Sequence, residues 1–142
     1  MAVLEYEYDP KVLPPDVKRS IDFLYEAADR KAACGAWADC FSKHGKMIIG
    51  RVSLLGVPAL QKYAEDSWVD NEPRVHDVRT VSVLQTRPVT IRIDGVAKIQ
   101  LSSGEEKQMV WIAKQVYVEK DGRQKILEYN VTAIVTTKAL GI

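Results

Sequence analysis

Apolar and polar residues alternate most regularly over residues 109–135. Two runs there, MVWIAKQVYVEK and RQKILEYNVTAIV, are rich in the β-branched and aromatic residues that suit a pleated strand. Asp121-Gly122 separates the runs, and Asp-Gly in this setting is a strong signal for a tight hairpin turn. Both runs exceed the ~5–6 residues of a typical strand. The pattern therefore predicts a long hairpin in a strongly curved sheet, which needs another part of the chain to wrap around.

The first half of the chain has helical periodicity instead. Prolines keep residues 1–15 extended, and Asp16 is a suitable N-cap for the helix that follows. Apolar residues then recur at helical spacing up to about Arg30, which predicts a first helix. A shorter helix is expected over residues 33–41, and a third from Pro58, a residue favoured at the first helical position.

Strands are predicted between and after these helices. They cover residues 46–52, 76–85, 88–93 and 96–101, and the long hairpin follows them. Asp94-Gly95 and Ser102-Ser103-Gly104 are interpreted as tight turns. Helices first and an antiparallel meander afterwards is the α+β pattern. We expect an extended arm over residues 1–15 and a single domain over residues 16–142.

Composition narrows the functional classes. A chain of 142 residues suits one domain, and a net charge of +1 without Lys/Arg runs argues against nucleic acid or an anionic membrane as partner. No apolar stretch approaches the ~20 residues that span a bilayer, and the N-terminus lacks the features of a signal peptide. Cys34 and Cys40 lie six apart, off a shared helix face, which favours reduced thiols and a cytoplasmic protein. The pattern contains no metal or cofactor motif, so neither is expected.

The element order carries a resemblance to a known family. Together with FLYEAADRKAACGAWADCFSKHGKMIIG and WIAKQVYVEKDGRQKILEY, it resembles the cone-shaped α+β barrels of nuclear transport factor 2, ketosteroid isomerase, scytalone dehydratase and the SnoaL-type polyketide cyclases. The resemblance covers about residues 16–137, and small fungal members that isomerise or cyclise secondary metabolites look most similar in style. It implies N-terminal helices packed in a strongly curved, mostly antiparallel sheet. It also implies an apolar pocket at the open end and a homodimer formed through the outer sheet face.

The resemblance implies roles for Tyr25 and His76, but the sequence departs from the steroid isomerase pattern at two other positions. Tyr25 resembles the hydrogen-bond donor that steroid isomerases carry on the first helix, and His76 is comparable to the acid–base histidine of scytalone dehydratase. The segment MIIGR holds no carboxylate where steroid isomerases place their base. Lys114 occupies the position of their protonated aspartate. The steroid isomerase mechanism is therefore not carried over.

Lys114 is the most unusual residue of the hairpin, because its neighbours on the same face are Val and Ile. A lysine in a dry pocket needs a partner or loses its charge. With an odd number of residues in the turn, Lys114 lies nearly opposite Glu128. With a two-residue turn, it lies opposite Tyr129, and Glu128 joins Asn130 and Trp111 on the other face. Alternatively, the Val/Ile face is a dimer face with Lys114 at its rim.

These residues define a predicted site. Glu128 and His76 are expected as proton shuttles and Lys114 and Tyr25 as donors to a developing oxyanion, with Trp37, Trp68, Trp111 and Asn130 binding the substrate. The run Asp29-Arg30-Lys31 is interpreted as a solvated helix end. The predicted function is a cofactor-independent isomerase, cyclase or dehydratase of a bulky apolar metabolite such as a terpenoid, polyketide or alkaloid. The alternative is a non-catalytic module of the same fold that binds a small ligand or a protein.

Overall fold

A computed structural model of the chain describes residues 3–137. Three helices, α1 (Pro15–Ala28), α2 (Cys34–Ala38) and α3 (Val57–Asp66), precede or interrupt six strands: β1 (Phe41–Ile49), β2 (Val52–Leu55), β3 (Arg74–Thr86), β4 (Val89–Gln100), β5 (Glu106–Lys120) and β6 (Arg123–Thr137). The α+β class predicted from the sequence is confirmed. Within residues 3–137, no helix is both long and apolar enough to cross a membrane.

The six strands form one sheet in the order β2-β1-β6-β5-β4-β3. Neighbouring strands are antiparallel except β1 and β6, which are parallel. Helix α1 contacts both β6 and β3, although β5 and β4 lie between them in the sheet. One helix reaches strands so far apart only if the sheet curls around it. The predicted cone, with N-terminal helices inside a strongly curved and mostly antiparallel sheet, is therefore confirmed.

The apolar stripe of α1 fills the centre of this cone. Val17, Ile21, Leu24 and Tyr25 are buried against the inner sheet face, as their helical spacing predicts. The start of the helix differs from the prediction. Pro14 is the N-cap and Pro15 the first helical residue, a position where the missing N–H of proline costs nothing.

Asp16 lies in the first turn of α1 rather than at the N-cap. Its carboxylate accepts a hydrogen bond from Gln124 Nε2 at 3.1 Å and so ties the start of α1 to β6. The arm before the helix is extended. Glu7 in the arm pairs with β3, because its N–H donates to Arg79 O and its carbonyl accepts from Val81 N.

Several strand predictions are wrong in their bounds. Strand β1 begins at Phe41, where a helix was predicted, rather than at residue 46, and β2 was missed. Asp94-Gly95 is not a turn but the middle of the continuous strand β4. A Cβ on Gly95 would lie 2.4 Å from Cζ2 of Trp111 and 2.7 Å from Asp77 O. The glycine is therefore explained by close packing of the indole ring, a role that glycine can have inside a strand.

The long hairpin combines a two-residue turn with an irregularity. Lys120 pairs with Arg123 around Asp121-Gly122, and Tyr117 pairs with Ile126, but Val116 pairs with Glu128. Leu127 is thus an extra residue in β6, a β-bulge, and every pair beyond it is shifted by one. As a result Lys114 lies opposite Asn130 and on the same face as Glu128, which is the arrangement expected for an odd number of turn residues, although the turn itself has two.

We predict that Gly95→Ala destabilises the protein by about 1–3 kcal/mol, because the added methyl group displaces Trp111 or the backbone of β3. Urea unfolding followed by far-UV circular dichroism measures this. Gly35→Ala is the matched control, since its Cβ meets only Gln61 at ordinary contact distance, 3.8 Å, within a helix where alanine is preferred to glycine. Equal stability of wild type and Gly95→Ala would contradict the packing described here.

Candidate active site

A cavity of about 340 Å³ lies between the three helices and the inner face of the sheet. Its wall is mainly aromatic and aliphatic, and a few polar groups face inward. Seven aromatic residues contribute to it, namely Tyr25, Trp37, Tyr63, Trp68, His76, Trp111 and Tyr129. An apolar cavity of a few hundred Å³ with a small number of polar groups is typical of small-molecule sites.

His76 and Asp29 form the strongest polar contact of this wall. Asp29 follows the last turn of α1, and its Oδ1 lies 2.6 Å from Nδ1 of His76. The same carboxylate accepts the backbone N–H of His76, at 3.1 Å to Oδ1 and 3.0 Å to Oδ2. Asp29 thereby fixes both the position of the β3 backbone and the orientation of the imidazole ring.

This contact determines which nitrogen of His76 is available. An ionised carboxylate can only accept hydrogen bonds, so Nδ1 carries the proton that is shared with Asp29. Nε2 has no hydrogen-bond partner among residues 3–137. In the neutral ring Nε2 is then the basic nitrogen, and His76 belongs to the cavity wall whereas Asp29 lies behind it. This histidine–carboxylate pair can remove a proton from a ligand in the cavity.

A chain of tyrosine hydroxyls lies beside this dyad. Tyr25 Oη and Tyr129 Oη are 2.7 Å apart, and Gln115 Nε2 donates to Tyr25 Oη at 3.4 Å. Tyr117 Oη in turn donates to Gln115 Oε1 at 2.6 Å. Tyr25 also packs on the rings of His76 and Trp111, with ring centroids 5.8 Å and 5.1 Å away. Burial raises the pKa of Tyr25, Tyr117 and Tyr129, because a phenolate would lose its hydration.

No protein-family model matches the chain, and no curated protein matches its sequence. Solved structures do match its fold. A candidate scytalone dehydratase from Novosphingobium aromaticivorans has a TM-score of 0.77 at 12% identity, over 86% of this chain and 85% of that one. ActVI-ORFA from Streptomyces coelicolor has 0.72 at 14%, over 83% and 94%. The hexachlorocyclohexane dehydrochlorinase LinA-type3 from Novosphingobium barchaimii has 0.71 at 15%, over 85% and 89%.

The chain has the fold of the nuclear transport factor 2 and SnoaL proteins. This agrees with the resemblance of the sequence. At these low identities the likeness shows the fold, and the roles of individual side chains depend on their geometry in this chain.

Five of the predicted site residues lie in the cavity wall of this SnoaL-like cone: Tyr25, His76, Trp37, Trp68 and Trp111. The structure brings Tyr25, His76 and Trp111 into mutual ring contact. Trp37 packs on Phe41, with ring centroids 5.1 Å apart.

The predicted position of Lys114, Glu128 and Asn130 in the pocket is wrong. Lys114 pairs with Asn130 and Val116 with Glu128, and these residues lie on the outer face of the sheet, whereas Trp111, Ala113 and Gln115 are buried inside. For Glu128 and Asn130 the reason is the bulge at Leu127, which reverses the faces of β6 relative to a regular hairpin. Lys114 faces outward because it alternates along β5 with the buried Ala113 and Gln115. Lys114 is solvent-exposed, as the alternative interpretation of its Val/Ile face requires.

Two polar residues of the site were missed in the sequence. Asp29 was interpreted as part of a solvated helix end, and Tyr129 was considered only as a pairing partner. Asp29 lies four residues after Tyr25, so helical spacing places both on one face, a signal that was present in the sequence. Nothing local indicates that Tyr129 faces inward, because its face depends on the bulge.

We predict that the free energy of unfolding falls as the pH rises above about 10, the ordinary pKa of tyrosine. The three buried phenols keep their protons when folded but ionise near that pH when unfolded, so the folded state binds more protons there. Their contribution is complete below pH 10 and is lost above it. Urea titrations between about pH 8 and pH 11 should show the decline, and Tyr129→Phe should make it shallower.

The contrary result would be an absorbance titration of the folded protein in which all 6 tyrosines ionise together near the ordinary pKa. That outcome would show that Tyr25, Tyr117 and Tyr129 are in contact with water.

Proposed function

We propose that this chain is a cofactor-independent enzyme that removes a proton from a bulky apolar metabolite, with His76 as the general base. The observation that carries the proposal is the 2.6 Å contact between His76 Nδ1 and Asp29 Oδ1, which leaves Nε2 without a protein partner in the wall of an apolar cavity. General bases are recognised by such geometry first.

Asp29 acts through His76 rather than on the substrate. It holds the tautomer with the proton on Nδ1 and stabilises the imidazolium that forms when Nε2 accepts a proton, as the carboxylate of a histidine–aspartate pair does in acyl-transfer enzymes. Both side chains are about three-quarters buried, with 26% of His76 and 22% of Asp29 exposed, so the positive charge on the ring and the negative charge of Asp29 interact more strongly than they would in open solvent.

Removal of the proton leaves an electron pair on the substrate carbon, and the negative charge must be stabilised. In a ketone it moves onto the carbonyl oxygen, and a hydroxyl group must stabilise that oxyanion. If Gln115 donates to Tyr25 and Tyr25 donates to Tyr129, the hydroxyl hydrogen of Tyr129 has no protein acceptor among residues 3–137. Tyr129 would then donate directly to the oxyanion, with Tyr25 supporting it from behind. The predicted donor role of Tyr25 becomes an indirect one.

The protonated His76 completes the reaction in one of three ways. Return of the proton to another carbon gives isomerisation, and its delivery to a departing hydroxyl group gives dehydration with release of water. Attack of the carbanion on a second carbonyl within the same substrate, with delivery of the proton to the alkoxide oxygen that forms, gives cyclisation. Dehydratase, dehydrochlorinase and cyclase relatives share the fold, which supports this class of chemistry without naming a substrate. We propose a terpenoid, polyketide or alkaloid as substrate, since the cavity wall is chiefly aromatic.

The alternative of a non-catalytic module is disfavoured by the cavity itself. A module that binds only a protein needs no cavity, and its interior would be filled by Trp and Leu side chains. A module that only binds a small ligand needs no general base. Here about 340 Å³ remains open beside an oriented histidine–carboxylate pair. Formation of a homodimer and a cytoplasmic location remain predictions from the sequence. The exposed apolar side chains Val110, Ile112 and Ile134 mark the outer sheet face on which the dimer is expected.

The proposal is tested by solvent deuterium exchange into a panel of rigid, enolisable ketones of terpenoid and polyketide type, followed by mass spectrometry. We expect catalysed exchange by wild type and a loss of about 10²–10⁴-fold in both His76→Gln and Asp29→Asn. Glu128→Gln is the control, because it neutralises a carboxylate on the outer sheet face and should leave exchange unchanged. Full exchange in His76→Gln, or none in wild type across the panel, would refute the proposal.

A further inference from the structure

Arg74 is the cationic residue of the cavity wall. It lies on β3 two residues before His76, so both side chains project from the same, inner face of the strand. A guanidinium keeps its charge in proteins, which places a permanent positive charge next to the proposed base.

The guanidinium is held in one position. It stacks on the indole of Trp68, with Cζ 3.7 Å from the ring centroid. Nη2 donates to Ser67 O at 2.7 Å and to Glu72 O at 3.3 Å, Nε donates to Glu72 O at 3.4 Å, and Nη1 donates to Ser67 Oγ at 3.1 Å. Of the five N–H groups of an arginine, one on Nη1 therefore remains unused by the protein.

The positive charge of Arg74 is not neutralised by direct pairing. It forms no salt bridge with any carboxylate of residues 3–137. The nearest acidic groups have other partners, since Asp29 binds His76 and the Glu72 carboxylate accepts from Ser102 N at 2.9 Å and Ser102 Oγ at 3.2 Å. Burial lowers the pKa of Arg74, and the fields of Asp29 and Glu72 oppose that change.

We propose that Arg74 binds a carboxylate group of the substrate at the edge of the cavity, while the apolar body extends inward past His76 to Trp111 and Tyr129. A partly buried guanidinium with an unused N–H and no carboxylate partner is suited to a charge-assisted hydrogen bond with an acid. The assignment of the reacting carbon to His76 rests on the proposed function, whereas the binding of the acid does not. The substrate class is thereby narrowed to apolar acids.

A purely structural role for Arg74 makes a different prediction. As a clamp, it would only hold the loop over residues 67–72 through the backbone carbonyls of Ser67 and Glu72. Loss of a clamp would weaken every ligand alike, acidic or neutral. A matched pair of ligands of the same shape, one charged and one neutral, separates the two roles.

The probes are 2-naphthoate and 2-naphthamide, with binding followed by quenching of tryptophan fluorescence, since three tryptophans line the cavity. We expect wild type to prefer the acid by about tenfold. Arg74→Gln should abolish the preference, and Arg74→Lys should keep part of it. Arg79→Gln, which removes the same charge from an exposed position on β3, should keep the full preference.

Three results would overturn the proposal: no binding of 2-naphthoate, equal binding of acid and amide by wild type, or a preference that persists in Arg74→Gln. If Arg74→Gln weakens the binding of both ligands by the same factor, the role of Arg74 is only to hold the loop over residues 67–72. Asp29→Asn distinguishes this result from failure of the proposed function. It is expected to lower deuterium exchange by about 10²–10⁴-fold while it retains, or tightens, binding of the acid.

Discussion

The contact between Asp29 and His76 holds the end of α1 to the start of β3. One carboxylate accepts both the backbone N–H and the ring of the same histidine. Since α1 also packs on β6, the helix is joined to both sides of the curled sheet, and the Asp29–His76 contact is its link to β3. The opening of the cone and the orientation of its base therefore depend on the same pair of residues.

The position of Asp29 is not what helix stability favours. Carboxylates stabilise helix N-termini and are unfavourable near C-termini, where the helix dipole is negative. Asp29 is the C-cap of α1, and its backbone N–H bonds to carbonyls of the last turn. Departures from local preference often mark functional sites, where another interaction compensates. Here the compensation comes from His76, whose two donors converge on the carboxylate.

The sequence predicts most of the fold because its main signals are local. The stripe from Val17 to Tyr25 and the Asp-Gly turn of the hairpin each encode their element directly. The site was less predictable, because it depends on contacts between residues distant in the chain. The face of Tyr129 follows from a bulge at Leu127 that no turn signal marks, and this bulge also places Glu128 on the outer face.

Gly95 is a second case in which the local sequence does not determine the structure. Beside Asp94 it has the pattern of a turn, yet its lack of a side chain serves the packing of Trp111 on the neighbouring strand. The dipeptide Asp-Gly has the same sequence whether it forms a turn or lies inside a strand. Only the cross-strand pairing distinguishes a turn glycine from a packing glycine, and this pairing is set by the whole sheet.

The most direct measurement is the tautomeric state of the neutral His76 ring by ¹⁵N NMR of its nitrogens. The only other histidine, His44, is exposed on β1 and supplies an internal reference in the same spectrum. The account predicts that neutral His76 carries its proton on Nδ1, bonded to Asp29, with Nε2 unprotonated, and that Asp29→Asn changes this pattern while His44 does not respond. A proton on Nε2, or a tautomer mixture matching that of His44, would contradict the account.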